Sequence, residues 1–318
     1  MLSRQVEFID VRVVHPDYNI GENMSNTMQM RLDECFENID TNCVDKFFDS
    51  QDFFESENVF IYKNIKIVNG DMFDNDCLLA IKDKEIDAII TDFPYGTLNK
   101  RNKWDKVIDY DKFWAEYNRI CKETSPLIST AQMPFTAYLI STNYKDFKYT
   151  LVWEKSKATG YLNAKKQPMR AHEDIVVFYK KQCKYNPQMI EGKPYNKGCA
   201  VRDTMAYGKQ EKAVLVKNDT GLRYPRSVQY FVTAESEGKL HPTQKPIALF
   251  EWLIKTYSDE NDKILDPCLG SATTAIACIN TNRQFIGFEK DKEYFDVAKE
   301  RIKQHIYEKS LKEKNKSH

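Results

Sequence analysis

The feature that most constrains this chain is an alternation. From residue 59 to residue 306, short apolar runs take turns with stretches whose apolar residues recur every three or four positions. The runs are Val59 to Tyr62, Ile65 to Val68, Ala88 to Thr91, Pro126 to Ser129, Tyr149 to Trp153, Ile175 to Tyr179, Lys263 to Leu265 and Phe285 to Phe288. Each is short enough to be a strand. Helical spacing falls on Tyr110 to Cys121, Phe135 to Ile140, Thr273 to Ile279 and Tyr294 to Ile306. A further helix begins at Pro246 and carries Leu249, Phe250, Leu253 and Ile254 on one face; Pro suits a first helical position. Strands that alternate with helices need crossovers, so the spacing predicts an α/β fold with a largely parallel, doubly wound sheet. Ligands of such sheets lie at the carboxyl ends of the strands.

Two stretches break the pattern and set the expected domains. Residues 1–60 form an N-terminal extension with 4 basic and 13 acidic residues, a net charge of −9. Loose alternation over residues 5–14 suggests a strand. Met24, Met28, Leu32, Phe36, Ile39 and Phe47 give residues 24–47 an apolar stripe, so this arm is expected to fold. Residues 61–182 are then one half of the alternating domain and residues 241–318 the other. Between them, residues 183–240 are rich in Lys, Tyr, Asn, Gly and Pro and only weakly periodic. The whole chain has no net charge, so everything after residue 60 carries +9, with +7 in residues 180–245. A basic body suits a polyanionic partner. The polar tail from Lys309 to His318 is expected to fray.

Other classes find little support. The eight cysteines are scattered, with no Cys-x-x-Cys pair and no Cys/His zinc spacing. No metal is expected, and the thiols read as reduced ones of a cytoplasmic protein. No apolar run approaches the length of a membrane span, and the first residues lack the apolar core of a secretion signal.

Three strand ends carry candidate chemistry. At the first, Asp266-Pro267-Cys268-Leu269-Gly270-Ser271-Ala272-Thr273 joins a strand to a helix. Gly270 lets a ligand approach the backbone, and the helix start offers free N–H groups. At the second, Glu289 closes the next strand 23 residues later, where an acid commonly accepts hydrogen bonds from ribose hydroxyls. At the third, Asp92-Phe93-Pro94-Tyr95-Gly96 ends a strand. Its carboxylate and a neighbouring carbonyl are two acceptors that match the two protons of an exocyclic amine, and its aromatic ring can stack on a planar base.

Asp92-Phe93-Pro94-Tyr95 resembles the Asp-Pro-Pro-Tyr motif of amino-methyltransferases acting on DNA. The segment around Asp266 resembles their cofactor motif, Asp-Pro-Phe-x-Gly-Ser-Gly-Thr-Thr. His241-Pro242-Thr243-Gln244-Lys245-Pro246 matches the motif that precedes it. The order of these motifs is similar to that of the circularly permuted β-class of site-specific DNA methyltransferases. The resemblance covers about residues 65–306, including Asn102-Lys103-Trp104-Asp105 and His172-Glu173-Asp174.

The resemblance implies a circularly permuted Rossmann-like sheet with helices on both faces and an inserted target-recognition region at residues 183–240. It implies S-adenosylmethionine as methyl donor, S-adenosylhomocysteine as product, and N6 of adenine in double-stranded DNA as acceptor. Asp266 and Gly270 would approach the methionine part of the cofactor, Lys245 its carboxylate, Glu289 its ribose and Asp71 its adenine amine, with Ser271 and Thr273 also in the cofactor site. Asp92 and the Phe93 carbonyl would hold the flipped target amine beside Pro94, with Tyr95 stacked on the base. Lys100, Arg101 and Lys103, in a loop expected to close over DNA, and Arg202, Arg223 and Arg226 would contact phosphates or base edges. Relatives are often dimers, which leaves a homodimer open.

Rival readings are N4-cytosine methylation, whose motif more often begins with Ser, an RNA or free-nucleotide substrate, and a non-catalytic DNA-binding relative. Two departures from the motifs bear on activity. Phe93 in place of Pro is expected to loosen the catalytic turn. Cys268 and Ala272 replace the Phe and second Gly of the cofactor motif. If position 272 needs a positive φ, Ala there would weaken cofactor binding.

Overall fold

Residues 53–97, 105–200, 203–204, 208–209, 212–237 and 244–316 are described by a computed structural model. The strand and helix expected within residues 1–52 lie outside the described residues. In chain order the elements are β1 (Phe53–Glu55), β2 (Val59–Tyr62), β3 (Ile65–Asn69), β4 (Ala88–Thr91), α1 (Tyr110–Ile120), β5 (Leu127–Ala131), α2 (Phe135–Thr142), β6 (Phe147–Thr159) and β7 (Arg170–Phe178). The inserted region contributes β8 (Tyr195–Ala200), β9 (Asp203–Thr204), β10 (Gly208–Lys209), β11 (Val214–Asn218) and β12 (Val228–Phe231). The chain then runs through α3 (Ile247–Tyr257), β13 (Lys263–Asp266), α4 (Thr273–Thr281), β14 (Gln284–Glu289) and α5 (Lys292–Lys316).

Ten strands form one sheet in the order β1-β2-β3-β14-β13-β4-β5-β7-β6-β12. The run from β3 to β5 is parallel throughout. β7 is antiparallel to both its neighbours, and β12 lies parallel to β6 at the far edge. The C-terminal strands β13 and β14 therefore sit in the middle of a sheet begun by N-terminal ones, which is the expected permutation. β13 pairs with β14 on one side and with β4 on the other, so strand order changes direction between β13 and β4. Ligands of open α/β sheets bind at such a switch point.

Both faces are covered because successive strand residues point to opposite sides. Ile90, Ile128 and Ile264 join one core with Leu249, Leu253, Ile276 and Phe295 of α3, α4 and α5. Ile89, Leu127 and Leu265 join the other with Phe113, Tyr117, Phe135 and Leu139 of α1 and α2. Each large side chain fully buried this way contributes on the order of 1.5–3 kcal/mol of transfer free energy. Asp109 caps α1 by accepting from Lys112 N at 3.1 Å.

Four boundaries differ from expectation. The strands β1 and β2 belong to the sheet, and Phe60 is fully buried, so a division at residue 60 falls inside β2. β6 and β7 span 13 and 9 residues and extend well past the apolar runs that marked them. Their added length carries exposed side chains such as Lys157 and Arg170, which leave no apolar signature, and its pairing is irregular between Glu154–His172 and Thr159–Arg170. β12 ties the end of the inserted region to the main sheet. The tail continues α5 to Lys316, because no Gly or Pro interrupts it and Lys309 Nζ donates to the Ile279 carbonyl at 2.9 Å. Among the described residues no helix is long and apolar enough to cross a membrane.

Candidate active site

The site forms where β13 and β4 end side by side. Asp266 closes β13 and is 2% exposed. It accepts from the Thr91 hydroxyl of β4 at 2.6 Å, from Cys268 N at 3.1 Å and from the Thr274 hydroxyl at 2.5 Å. Burial pushes its carboxyl up to about 6, although all three bonds favour the charged form. Asp266 thus spends its oxygens on holding the turn, and it shapes the ligand site through the backbone.

The turn itself is open to a ligand. Gly270 has φ +56°, and a β-carbon there would meet nothing within 4 Å. Ala272 also has a positive φ, +64°, at the start of α4. The condition set for this departure is met, and Ala there bears a cost of about 1–2 kcal/mol in the left-handed region. Ser271 and Thr273 are buried rather than presented. Arg301 of α5, which sequence reasoning missed, donates to the Ser271 carbonyl at 2.7 Å and to the Ser271 and Thr273 hydroxyls at 3.2 and 3.1 Å.

Glu289 ends β14 facing this turn. Its carboxylate accepts from Gly270 N at 2.8 Å and from Asp291 N at 2.9 Å. Burial, partly offset by these bonds and reinforced by the charges of Asp291 and Asp266, pushes it up to about 7. The neighbouring Asn69-Gly70-Asp71 turn is zipped to it, since Gly70 N and Asn69 Nδ2 donate to the Glu289 carbonyl at 2.9 and 2.8 Å. Asp71 pairs with Lys290 at 2.8 Å and accepts from Phe73 N. Burial would raise its carboxyl, but Lys290 and that N–H hold it below the usual range.

Asp92, beyond the end of β4, is held from three sides. Its Oδ1 accepts from the Tyr95 hydroxyl at 2.8 Å and from the Thr130 hydroxyl of β5, and its Oδ2 lies 2.8 Å from Lys245 Nζ. Burial and then the charge of Asp92 push the Tyr95 phenol well above its usual value, so it stays a donor. Phe135 of α2 stacks on the Tyr95 ring at 4.8 Å and 19° and covers one of its faces. Lys245 Nζ stands 5.5 Å from the centre of that ring.

Phe93 does not loosen the turn. Its side chain is 1% exposed and packs edge-on against Tyr110 at 5.6 Å and Phe113 at 5.0 Å. The ring anchors the turn to α1, where a proline would hold it by stiffness alone.

Behind Asp92 runs a buried row of alternating charges. Lys245 Nζ lies 3.3 Å from Glu173 Oε2, as an ion pair without hydrogen-bond alignment, and Lys155 Nζ lies 3.2 Å from Glu173 Oε1. Burial would raise Glu173, but the two lysines hold it below the usual carboxylate range. For Lys245, burial would favour the neutral amine, but Asp92 and Glu173 outweigh it and hold the ammonium above the usual lysine range. Glu173 carried a signal in His172-Glu173-Asp174. Thr130, Phe135 and Lys155 carried none.

The residues expected to meet DNA divide. Lys100, Arg101, Lys103 and Arg202 lie outside the described residues, as do His241, Pro242 and Thr243. Arg226 is exposed. Arg223 is engaged within the inserted region: Nη2 donates to the Lys193 carbonyl at 3.0 Å, the guanidinium sits 5.8 Å from the Tyr195 ring, and its backbone bridges Ile190. Among the described residues no group of three or more His, Cys, Asp or Glu side chains could hold a metal ion.

The model of the DNA methylase family matches residues 86–300. The chain is 28% identical to the type II methyltransferase M.HpaI of Haemophilus parainfluenzae over 236 residues, covering 71% of this chain and 70% of that protein. It is 29% identical to the DNA adenine methyltransferase YhdJ of Escherichia coli K12 over 254 residues, covering 74% and 82%. The crystal structure of an M1.HpyAVI–SAM complex is similar over 75% of this chain and 98% of that one, with a TM-score of 0.50 and 25% identity.

Proposed function

Since this chain belongs to the DNA methylase family, we propose that it transfers the methyl group of S-adenosylmethionine to the N6 amine of an adenine flipped out of duplex DNA. The observation that carries this reading is Asp92, a carboxylate fixed at the end of β4 beside the Gly270 turn and Glu289.

The cofactor residues fit the ligand. Gly270 leaves the space that a β-carbon would take, the start of α4 offers N–H groups, and Glu289 has further lone pairs for ribose hydroxyls. Asp71, on the turn that adjoins Glu289, would accept from the adenine amine in this reading. When bound, S-adenosylmethionine supplies an electrophilic methyl on its sulfonium.

The protein's own residues prepare the nitrogen that attacks. Thr130 and Tyr95 occupy Oδ1 of Asp92, so Oδ2, now on Lys245, is the oxygen that accepts from the target amine. The Phe93 carbonyl is the second acceptor. Together they draw the amine protons aside and aim the nitrogen lone pair at the methyl. The target ring lies against the face of Tyr95 that Phe135 does not cover. When the amine arrives, Lys245 loses Asp92 but keeps Glu173, and its charge is also available to the methionine carboxylate. The methylated nitrogen carries a surplus proton, and Asp92 accepts it. Positioning of this kind supplies much of the rate.

Asp92, where N4-cytosine enzymes more often have Ser, favours adenine, and so does the likeness to a DNA adenine methyltransferase. Residues 183–240, with Arg226 exposed, are the target-recognition region. The test is to incubate the protein with unmethylated genomic DNA and S-adenosylmethionine, digest to nucleosides and analyse by mass spectrometry. N6-methyladenine is expected. N4-methylcytosine alone, or no modified base, refutes the proposal.

A further inference from the structure

The β6–β7 hairpin runs beyond the sheet at the edge that carries the site. β7 is antiparallel to both β5 and β6, so the C-terminal end of β6 points the same way as the ends of β4 and β13. The hairpin is rooted in the site, because Lys155 and Glu173 lie on its two strands and continue the row of charges from Asp92. Its tip begins at Gly160, with φ +87°, and there Tyr161 is 73% exposed and Leu162 82%.

The setting of these two side chains tells what they meet. From Lys155 to His172 there are five basic residues and no carboxylate. Lys165, Lys166 and Arg170 are exposed beside the apolar pair. A paired apolar tip in water is a liability, and a basic mount suits a phosphate-lined surface. The three residues from Glu173 to Arg170 span about 10 Å of strand. That is similar to the depth of the DNA major groove, about 8.5 Å. Tyr161 and Leu162 lie beyond Arg170, so the hairpin carries them at least that far outward from Glu173 and the charges that lead to Asp92.

We propose that Tyr161 and Leu162 form a wedge that enters the duplex where the target adenine leaves it, with Lys165, Lys166 and Arg170 on the flanking phosphates. Apolar wedges that unstack a base step are a known way to deform DNA. Here the wedge fills the gap left in the stack and disfavours return of the base. The inference rests on the reading of the substrate as duplex DNA with a flipped adenine.

The test first maps the methylated site of the wild-type protein on genomic DNA. Two oligonucleotide duplexes carrying that site follow, one with the target adenine paired and one with it opposite an abasic position. Extruding a base costs least when it is unpaired. The Tyr161→Ala/Leu162→Ala variant is therefore expected to lose about tenfold or more in single-turnover rate on the paired duplex and less than about threefold on the abasic one. A 2-aminopurine at the target position should likewise brighten with wild type and not with the variant. An equal loss on both duplexes, or no loss on the paired one, overturns the wedge. The second of these is the outcome if the tip instead meets another protein or a lipid surface. Wild-type protein that methylates no DNA overturns the underlying reading instead.

Discussion

Replacing Phe93 by Pro would restore the Asp-Pro-Pro-Tyr sequence of the family, and sequence comparison alone would expect an improvement. The structure requires the opposite. Phe93 is 1% exposed and sits edge-on between Tyr110 and Phe113. Truncating a buried Phe to Ala costs about 3–5 kcal/mol, the lost transfer energy plus the cavity left behind. Tyr110 and Phe113 are themselves buried in the same cluster and cannot close that space without leaving α1. A domain of this size loses about 2–4 °C of Tm per kcal/mol, so Phe93→Ala should lower Tm by about 6–20 °C. Phe93→Pro keeps three side-chain carbons but reaches neither ring, and should fall near the lower end. Phe93→Leu, closer in volume, should lose only about 1.5 kcal/mol. Thermal unfolding followed by circular dichroism reads all three. The proposed chemistry uses only the backbone carbonyl at 93, so each variant, assayed well below its own Tm, should keep a methyl-transfer rate near wild type. A Phe93→Pro protein as stable as wild type would refute the anchoring role of the ring.

Asp92→Ala should cut single-turnover methyl transfer by about 10²–10⁴-fold. Its Tm should stay close to wild type, since Lys245 keeps Glu173 as partner; retention of more than a tenth of the rate would remove the assigned role. Glu289 has its folded-state carboxyl raised to about 7, so its ionised form is the disfavoured one. Stability should therefore decline as pH rises from about 4.5 to 7, whereas cofactor binding, which needs the carboxylate, should tighten from pH 6 to 8. Calorimetry on Glu289→Gln should show that pH dependence gone and affinity weaker by about 1.5–3 kcal/mol; an unchanged dissociation constant places the cofactor elsewhere. Arg226→Ala should weaken DNA binding and flatten the slope of log K against log salt by about 0.9 if the residue meets one phosphate. Arg223→Ala should instead expose residues 183–232 to limited proteolysis, because its guanidinium is engaged with Lys193 and Tyr195.

Central elements were legible because both faces of their strands are buried. Ala88, Ile89 and Ile90 are all fully buried, so the apolar run and the strand coincide. The outer parts of β6 and β7 follow a different rule: the strands run on past the core, through an irregular stretch to the Thr159–Arg170 pair, and a polar sequence such as Glu154 to Thr159 does not report it. Nor does composition report that α5 continues through residues 309–316, since its polar face needs only helix propensity and an anchor on α4.

The site divides along the same line. Residues that act from their own strand end, Asp92, Asp266 and Glu289, announce themselves locally by an acid beside a turn. Residues that act across the sheet do not. Thr130 holds Asp92 from β5, Phe135 covers Tyr95 from α2, and Arg301 braces the turn at Ser271 from α5. The permuted chain makes this unavoidable. Asp266 and Thr91 stand 175 residues apart in sequence, yet their hydrogen bond joins β13 to β4 at the strand ends that carry the proposed site. Neither half of the chain can complete its own site. Lys245 shows why: it enters on the loop before α3, but its ammonium lies between Asp92 of the N-terminal half and Glu173 on β7. Under the proposed reading a change in either half therefore reaches both sites, because Thr91 of the N-terminal half holds Asp266 and Lys245 of the C-terminal half holds Asp92.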